Sequence, residues 1–593
     1  MAAETVLGDE ARISIVGGGP GGLFLATILR KARPGWRVAV YERNPRGATY
    51  GFGVVFTART VRGLHEAEPE VTGDIIAAFE SWTDIEIGLP CGVTRSGGHD
   101  FSALERRRLL EILGHHAEAE GVELHFEIEV DDLDLLQAES DLLVGADGAN
   151  SQVRGRWSDE LHPSVHEGSS VFAWFATPRR YDALTFHFVD TPYGSFSTHA
   201  YPFSPELSTF IVETDEASWR RAGLDVREND PPPPGESDEL GLAFAQEVFA
   251  ESLQGHGLIG NNSRWDRFPT IRNECWSAAG NVVILGDAAH TAHFSVGSGT
   301  KMAMEDAASL AGALAGEARL EAALSAYQHA RKPQVQRLQD LAEPSRGWWE
   351  SFGSWIDRDL STFSINFLTR TGRELLDSLA KRDEAFAAAH TRPDVLADHV
   401  TIAENELANR IAVFADQAMV DQALAGSATE AAGLVLVDGE LAAAHGDRWT
   451  LAVAALRGAG AWVAVIGNDD AEADFFVWLP GDQTVAPQTG RPLVAVVEAP
   501  PEVGDHGAHD ATVERAQALE TAGICALWLL PTPDPDRGRD GLITACNRVR
   551  AAVSIPLLVS GARSTLDAAT FASAGRADIC VGRPGELDLR WKG

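Results

Sequence analysis

Apolar residues fall along the chain in short runs whose period changes from region to region. The run Ile13-Ser14-Ile15-Val16 reads as a strand, and Leu23-Phe24-Leu25-Ala26-Thr27-Ile28-Leu29 follows with the composition of a helix. A second strand, Val38-Ala39-Val40-Tyr41, comes next, and the same pattern recurs in Asp141-Leu142-Leu143-Val144-Gly145 and Asn281-Val282-Val283-Ile284-Leu285. Near-continuous apolar strands of this kind suit a parallel sheet covered on both faces. Between the last two, alternating and aromatic-rich segments take over at Ser170–Thr177, Ala183–Val189, Ser195–Tyr201 and Ser208–Glu213, with Pro231-Pro232-Pro233-Pro234 marking an exposed loop. The segment 170–270 is therefore expected to form a separate β layer inserted between strands of one parallel sheet. Leu324 to Leu341 predicts a long helix, and Trp348, Trp349 and Trp355 lie in an aromatic stretch read as core packing.

From about His390 the cadence changes again. Short apolar strands at Arg410–Phe414, Gly433–Val437, Trp462–Ile466, Pro492–Val497, Ala526–Leu530, Pro556–Ser560 and Asp578–Val581 alternate with Ala-rich helices. That rhythm predicts an α/β unit of the barrel kind. The region holds about two hundred residues, the small end for eight repeats, so an incomplete barrel and a compacted one are both open.

The turns after the first sheet's strands carry the candidate chemistry. Gly17-Gly18-Gly19-Pro20-Gly21-Gly22 lies between the first strand and its helix. In that context Gly17 permits the tight turn, Gly19 lets a phosphate approach the backbone, and Gly22 lets helix and strand pack closely, with the helix N-terminus facing the anion. Glu42 ends the second strand twenty residues after Gly22, where a carboxylate can accept both hydroxyls of a ribose. Asp147-Gly148 and Gly286-Asp287-Ala288-Ala289-His290 end the other two strands. A bound dinucleotide is the expectation.

Composition narrows the surroundings. With 593 residues, about three to four domains are expected. A formal charge of −37 with five lysines argues against a nucleic-acid partner, although Arg106-Arg107-Arg108 and Arg179-Arg180 form local basic clusters. Five cysteines without paired or metal-like spacing suggest reduced thiols and a cytoplasmic protein. No basic-then-apolar leader and no apolar run of spanning length is seen, so membrane association is not expected.

The glycine loop with Glu42, the helix pattern Arg106-x-x-Leu109-x-x-x-Leu113, Asp147-Gly148 and Gly286–His290 occur in a familiar order and spacing. Over roughly residues 10–345 the chain resembles the single-component FAD-dependent aromatic monooxygenases of the hydroxybenzoate hydroxylase type. Gly51-Phe52-Gly53-Val54-Val55-Phe56, His199-Ala200-Tyr201 and His293–Thr300 look most like the salicylyl-CoA and anthraniloyl-CoA hydroxylases and the violacein-pathway hydroxylases. Two positions depart from the pattern: Phe294 stands where the family commonly has Pro, and Lys301 where it has Asn.

This resemblance implies an α/β fold with a Rossmann-like FAD-binding domain (1–170 and 271–345), an inserted β-sheet substrate domain (171–270), a helical connector (346–395) and a shortened barrel-like domain (396–593). It implies that NADPH or NADH reduces FAD, that oxygen adds at flavin C4a, and that the distal peroxide oxygen passes to an electron-rich aromatic carbon. The residues it assigns to FAD are Gly17, Gly19, Gly22, Glu42, Arg43, Arg106, Asp147, Asp287, Gly297, Gly299, Thr300 and Lys301. Of these, Asp287 would accept from a ribityl hydroxyl, Arg106 would lie near the pyrophosphate or ribityl chain, and Gly297–Lys301 would face the flavin's pyrimidine edge. Candidate catalytic residues are His199, Tyr201, His293 and Phe294. An aryl-CoA substrate would need cationic partners, for which Arg179 and Arg180, with Arg220 or Arg221, are candidates, and a homodimer is compatible with the family.

The C-terminal part resembles the flavin-reductase barrel of the old yellow enzyme type, through Asn409-Arg410-Ile411, Ile555–Gly561 and Ala577–Pro584. At about half the usual length, and with Ala526-Leu527-Trp528-Leu529-Leu530-Pro531 lacking polar catalytic residues, it is expected to be a degenerate barrel without FMN. The expected function is hydroxylation or epoxidation of an aromatic substrate, foremost an aminobenzoyl- or hydroxybenzoyl-CoA thioester. The alternatives are a hydroxylase of a free aromatic or indolic metabolite and a non-catalytic flavin-binding scaffold.

Overall fold

The protein is described here as a computed structural model. The described residues are 6–390 except 50, 234, 298 and 373, followed by 410–414, 434–438, 451, 462–466, 475–478, 493–500, 506–522, 524, 526–531, 538–555, 557–560, 570–571, 574–577 and 579–582. Contacts divide the chain into two compact units, 1–342 and 343–593.

The first unit is built on a six-stranded sheet. Its order is Ser277–Ala278, Val282–Ile284, Leu142–Gly145, β1 (Arg12–Val16), β2 (Arg37–Glu42) and Glu123–Phe126. All neighbours run parallel except the short edge strand Ser277–Ala278, and Ile13 pairs with Val38 on one side and Leu142 on the other. Ile15, Leu143, Val144 and Val283 are fully buried, as strands covered on both faces must be. After β1 the chain turns into α1 (Pro20–Ala32), with proline in its first turn and Arg30 and Lys31 in its last, both favourable to the helix. α1 packs against the helices Arg106–Ala119 and Gly299–Gly316, whose buried Leu109, Leu113 and Leu310 join the same core.

A second sheet has the order Ile259–Gly260, Pro163–Thr177, Ser208–Asp215, Gly194–Pro202, Leu184–Thr191, Ile85–Leu89 and Gly92–Ser96, with Asp266–Asn273 also pairing with Pro163–Thr177. The hairpin 85–96 joins it through parallel pairing of Leu184 with Ile85, although it lies within the 1–170 segment that the sequence reading gave wholly to the nucleotide domain. Its pattern shows that it is extended, not which sheet it completes. One face of this sheet packs Val171, Ala173, Phe175, Phe196, Phe210 and Val212 against Trp219, Leu224, Phe249 and Leu253. Registers Phe172↔Glu213 and Ser197↔Glu213 put Phe172, Trp174, Ser197, His199 and Glu213 on the opposite face. A small sheet of Gly53–Thr57, Phe101–Glu105 and Glu80–Trp82 completes the unit.

In the second unit eight parallel strands close into a barrel in chain order: Arg410–Phe414, Leu434–Asp438, Trp462–Ile466, Phe475–Trp478, Leu493–Glu498, Ala526–Leu530, Leu557–Ser560 and Ile579–Gly582. The last pairs with the first, Arg410 opposite Ile579. Of the two open alternatives the compacted barrel is the one observed. The strand absent from the sequence reading is Phe475–Trp478, four residues long and preceded by an acidic run that hides it. The helices before the barrel belong to the same unit: the buried Arg576 donates to Asn547 Oδ1 (3.1 Å), Thr369 Oγ1 (2.8 Å) and the Asn366 carbonyl (2.8 Å). Trp348, Trp349 and Trp355 are core residues, the first two edge to face at 5.0 Å between centroids. Among the proposed barrel motif residues, Asn409, Pro556, Gly561, Asp578, Arg583 and Pro584 lie outside the described residues.

Candidate active site

A cleft of about 530 Å³ runs over the C-terminal ends of the first sheet's strands to the inner face of the second sheet. At one end it is lined by Gly17, Gly19, Glu42, Arg43, Asp147 and Gly148, and at the other by Phe172, Trp174, Phe268 and Phe294, with Arg106 and Asp287 also on its wall.

The glycine loop has the shape its sequence predicts. Gly17 takes a left-handed φ of 110°, and a Cβ there would lie 2.3 Å from the Ala146 carbonyl oxygen. A Cβ on Gly22 would meet the Gly17 carbonyl oxygen at 2.2 Å, which closes that position to any side chain. At Gly19, the N-cap of α1, a Cβ would meet nothing within 4 Å, and no side chain caps the helix. The first N–H groups of α1 are thus left for a ligand, and the space above Gly19 is open for a phosphate. Glu42 is fixed by Gly18 N (2.8 Å) on Oε2 and by Asn44 N (2.8 Å) and Asn44 Nδ2 (2.7 Å) on Oε1, which leaves Oε2 with acceptor capacity for a ribose hydroxyl.

Asp147 and Asp287 differ in their commitments. Asp147 accepts from Ser151 Oγ (2.5 Å), Gln152 N (2.7 Å) and Val153 N (3.2 Å), so it organises the start of the following helix as well as lining the cleft. Burial pushes its carboxyl up, against the pull of Ser151 and those backbone bonds. Asp287 is pushed up by burial too, with Arg106 opposing the shift, and burial in turn lowers Arg106 while Asp287 supports it. These opposite charges on one cleft wall suit a ligand with hydroxyl donors on one side and an anion on the other.

Asp306 anchors the Gly286–His290 turn from behind. It is fully buried and accepts from His290 Nε2 (2.6 Å), Arg331 Nε (2.8 Å) and Gly286 N (3.0 Å). Arg154 donates to the Ala288 carbonyl at 3.1 Å and so ties the Asp147 loop to this turn. Neither Asp306 nor Arg154 is marked by the sequence motifs, because their partners lie elsewhere in the chain: Gly286, His290 and Arg331 for Asp306, and the Ala288 carbonyl for Arg154.

Of the remaining sequence candidates, Gly22, Gly297, Gly299, Thr300 and Lys301 are not on the cleft lining. A Cβ on Gly299 would stand 3.9 Å from Asp287 Oδ1, which brings the start of the Gly299–Gly316 helix beside that carboxylate. Lys301 faces Glu305 one turn on at 3.7 Å. Tyr201 is buried, donates from its hydroxyl to the Gly53 carbonyl at 3.0 Å, and is pushed up by burial. Arg180 is engaged by Glu80 and the Ser204 carbonyl, Arg220 by Glu216, Asp225 and Glu228, and Arg221 by the Tyr193 carbonyl. Arg179 lies over the Tyr181 ring at 4.4 Å. His199 and His293 are buried behind Phe294, whose ring stands 4.8 Å from Phe172 and 5.8 Å from Phe268.

Residues 10–342 match the FAD binding domain family, more than half of the chain. The chain belongs to that family. The cleft fits the cofactor: an open phosphate cradle at Gly19, a ribose acceptor at Glu42, and Asp287 opposite Arg106 further along. A salicyloyl-CoA 5-hydroxylase of a Streptomyces species is 45% identical over 379 residues, covering 63% of this chain and 72% of that protein. The 3-hydroxy-4-methyl-anthranilyl-[aryl-carrier protein] 5-monooxygenase of Streptosporangium sibiricum is 35% identical, covering 57% of this chain and 89% of that protein. The protodeoxyviolaceinate monooxygenase of Chromobacterium violaceum is 32% identical, covering 60% and 94%. The protein is a flavoprotein aromatic monooxygenase with FAD as its cofactor. No described helix is long and apolar enough to cross a membrane.

Proposed function

We propose that this monooxygenase hydroxylates the ring of an aromatic acid presented as a thioester, a hydroxybenzoyl- or aminobenzoyl-CoA, with NAD(P)H as reductant. The observation that carries the reading is the 45% identity to a salicyloyl-CoA 5-hydroxylase across 72% of its length, with a second relative named for an aryl group on a carrier protein. When bound, FAD supplies the oxygen-activating chemistry. The chain's own part is positional. Gly19 and the α1 N-terminus would hold the pyrophosphate, Glu42 the ribose and Asp287 the ribityl chain. The aromatic rings of Phe172, Phe268 and Phe294 form an apolar wall that seats a flat ring and keeps water away from the reacting atoms. The thioester tail would need a cation, for which Arg179 is a candidate. The C-terminal barrel is read as an FMN-free relative of the old yellow enzyme barrel.

The test is substrate-stimulated NAD(P)H oxidation and oxygen uptake by the FAD-loaded protein, with salicyloyl-CoA, anthraniloyl-CoA and the corresponding free acids. Stimulation by a thioester with a hydroxylated product supports the proposal. Stimulation by a free aromatic or indolic acid, with none by any thioester, refutes it in favour of the reading suggested by the violacein-pathway relative.

A further inference from the structure

Behind the aromatic wall lies a cluster that this function does not yet use. Glu213, on the Ser208–Asp215 strand, is 0% exposed. Its Oε1 accepts from Ser170 Oγ at 2.9 Å and lies 3.8 Å from His293 Nε2, while its Oε2 lies 3.2 Å from His199 Nε2. Three separate pieces of chain therefore converge on one carboxylate: the Pro163–Thr177 strand brings Ser170, the Gly194–Pro202 strand brings His199, and the loop after the Gly286–His290 turn brings His293.

A buried carboxylate costs several kcal/mol unless opposite charge and hydrogen bonds offset it. One imidazolium beside it leaves the cluster neutral, and the second imidazole then sits as a neutral partner. Replacing such a cluster by apolar side chains is often neutral or stabilising, so stability alone does not account for four polar side chains at this place. Their location does. The Phe294 ring lies 4.5 Å from the His293 ring, 5.7 Å from the His199 ring and 4.8 Å from the Phe172 ring. Phe294 and Phe172 line the cleft, whereas the imidazoles lie one ring behind.

We propose that Glu213 is a positioning residue which, through His199 and His293, locks the loop carrying Phe294 onto the inserted sheet and so fixes the aromatic wall against the substrate ring. The lock is electrostatic, and its strength depends on a proton shared among these groups. When the imidazolium loses that proton the cluster carries a net negative charge, the attraction between Glu213 and the loop weakens, and Phe294 loses its fixed seat. The consequence for catalysis is in coupling: a loosened wall admits water and misplaces the ring, so reducing equivalents end as hydrogen peroxide instead of hydroxylated product.

This inference rests on the proposed hydroxylation for one readout and stands without it for another. The first readout is the ratio of product to NAD(P)H consumed, measured across neutral to alkaline pH for the FAD-loaded wild type and Glu213→Gln. Glutamine keeps the size and the bond from Ser170 but removes the charge. The wild type should lose coupling toward alkaline pH, and E213Q should be poorly coupled at every pH, by about tenfold at neutral pH, with kcat falling and KM changed by no more than about twofold. The second readout uses no substrate: the visible band of bound FAD should shift with pH in the wild type, and in E213Q, where no carboxylate holds the imidazole proton, that transition should move to lower pH. His293→Gln probes the same cluster from the loop side and should behave alike, which keeps the test available if E213Q does not fold. Equal coupling and the same pH profile in wild type and variant, or a flavin band that titrates identically in both, overturns the proposal. If no aromatic stimulates the wild type at all, the proposed function falls, while the flavin-band titration still decides for or against the cluster.

Discussion

Asp306→Ala should be the most damaging single change behind the Gly-Asp turn. The substitution removes a fully buried carboxylate that accepts from His290, Arg331 and Gly286 N. It leaves the 6%-exposed Arg331 guanidinium and the 1%-exposed His290 without their shared acceptor. Breaking a buried pair by removing one partner costs about 3–5 kcal/mol. For a unit spanning residues 1–342, an unfolding entropy of about 2.1 cal/mol/K per residue gives about 0.7 kcal/mol/K, so the transition should fall by about 4–7 °C. The assay is the temperature at which bound FAD is released, read by flavin fluorescence on heating the holoprotein. Asp306→Asn separates charge from shape, since it can still accept from Gly286 N. Burial alone would raise the Asp306 carboxyl, but His290 and Arg331 outweigh it and hold it below the ordinary carboxylate range. Its contribution is therefore fully present above the unfolded value of about 3.9 and is lost as pH falls through the lower folded value. The stability gap between wild type and D306N should accordingly be constant at neutral pH and close in acid. A shift below about 1 °C for D306A, against the expected cost, would refute the view that this cluster anchors the turn.

Two further substitutions separate cradle from scaffold. Gly22→Ala places a methyl 2.2 Å from the Gly17 carbonyl oxygen and should weaken FAD binding by at least about tenfold, roughly 1.4 kcal/mol, measured by flavin retention and fluorescence titration; normal affinity would show that α1 can move away from β1 without cost. Tyr201→Phe removes the bond to the Gly53 carbonyl and should cost about 1 kcal/mol of stability while kcat stays within about twofold; a loss of kcat without loss of stability would give the hydroxyl a direct part in the reaction.

How much of this was legible in the sequence depends on the range of the interaction. The nucleotide cradle is local: strand, glycine turn and helix are contiguous, so Gly17, Gly19 and Glu42 could be assigned from spacing, and they meet in one cleft. The barrel strands were legible as apolar runs except Phe475–Trp478, which follows directly on an acidic stretch. Sheet membership was not legible. The hairpin 85–96 looks like any other short hairpin, and only its pairing with Leu184, about a hundred residues later in the chain, makes it part of the substrate-side sheet.

The wall of the site was half legible for a related reason. The inserted strands are apolar on both faces, because one packs on helices and the other on the cleft, so alternation does not say which side chains meet the substrate. In Ser208–Asp215 the run Phe210-Ile211-Val212 hides the alternation, and Glu213 reads as the polar end of a strand. Yet Ser170, Ser197, His199 and Glu213 interrupt otherwise apolar strands, and the registers Phe172↔Glu213 and Ser197↔Glu213 bring them to one patch. Buried polar groups need partners, so polar interruptions in neighbouring buried strands should come as a set. That is the signal that would have found Glu213: two unexplained histidines near a flavin loop require a buried acceptor, and the strand between the two polar-interrupted strands is where it must lie.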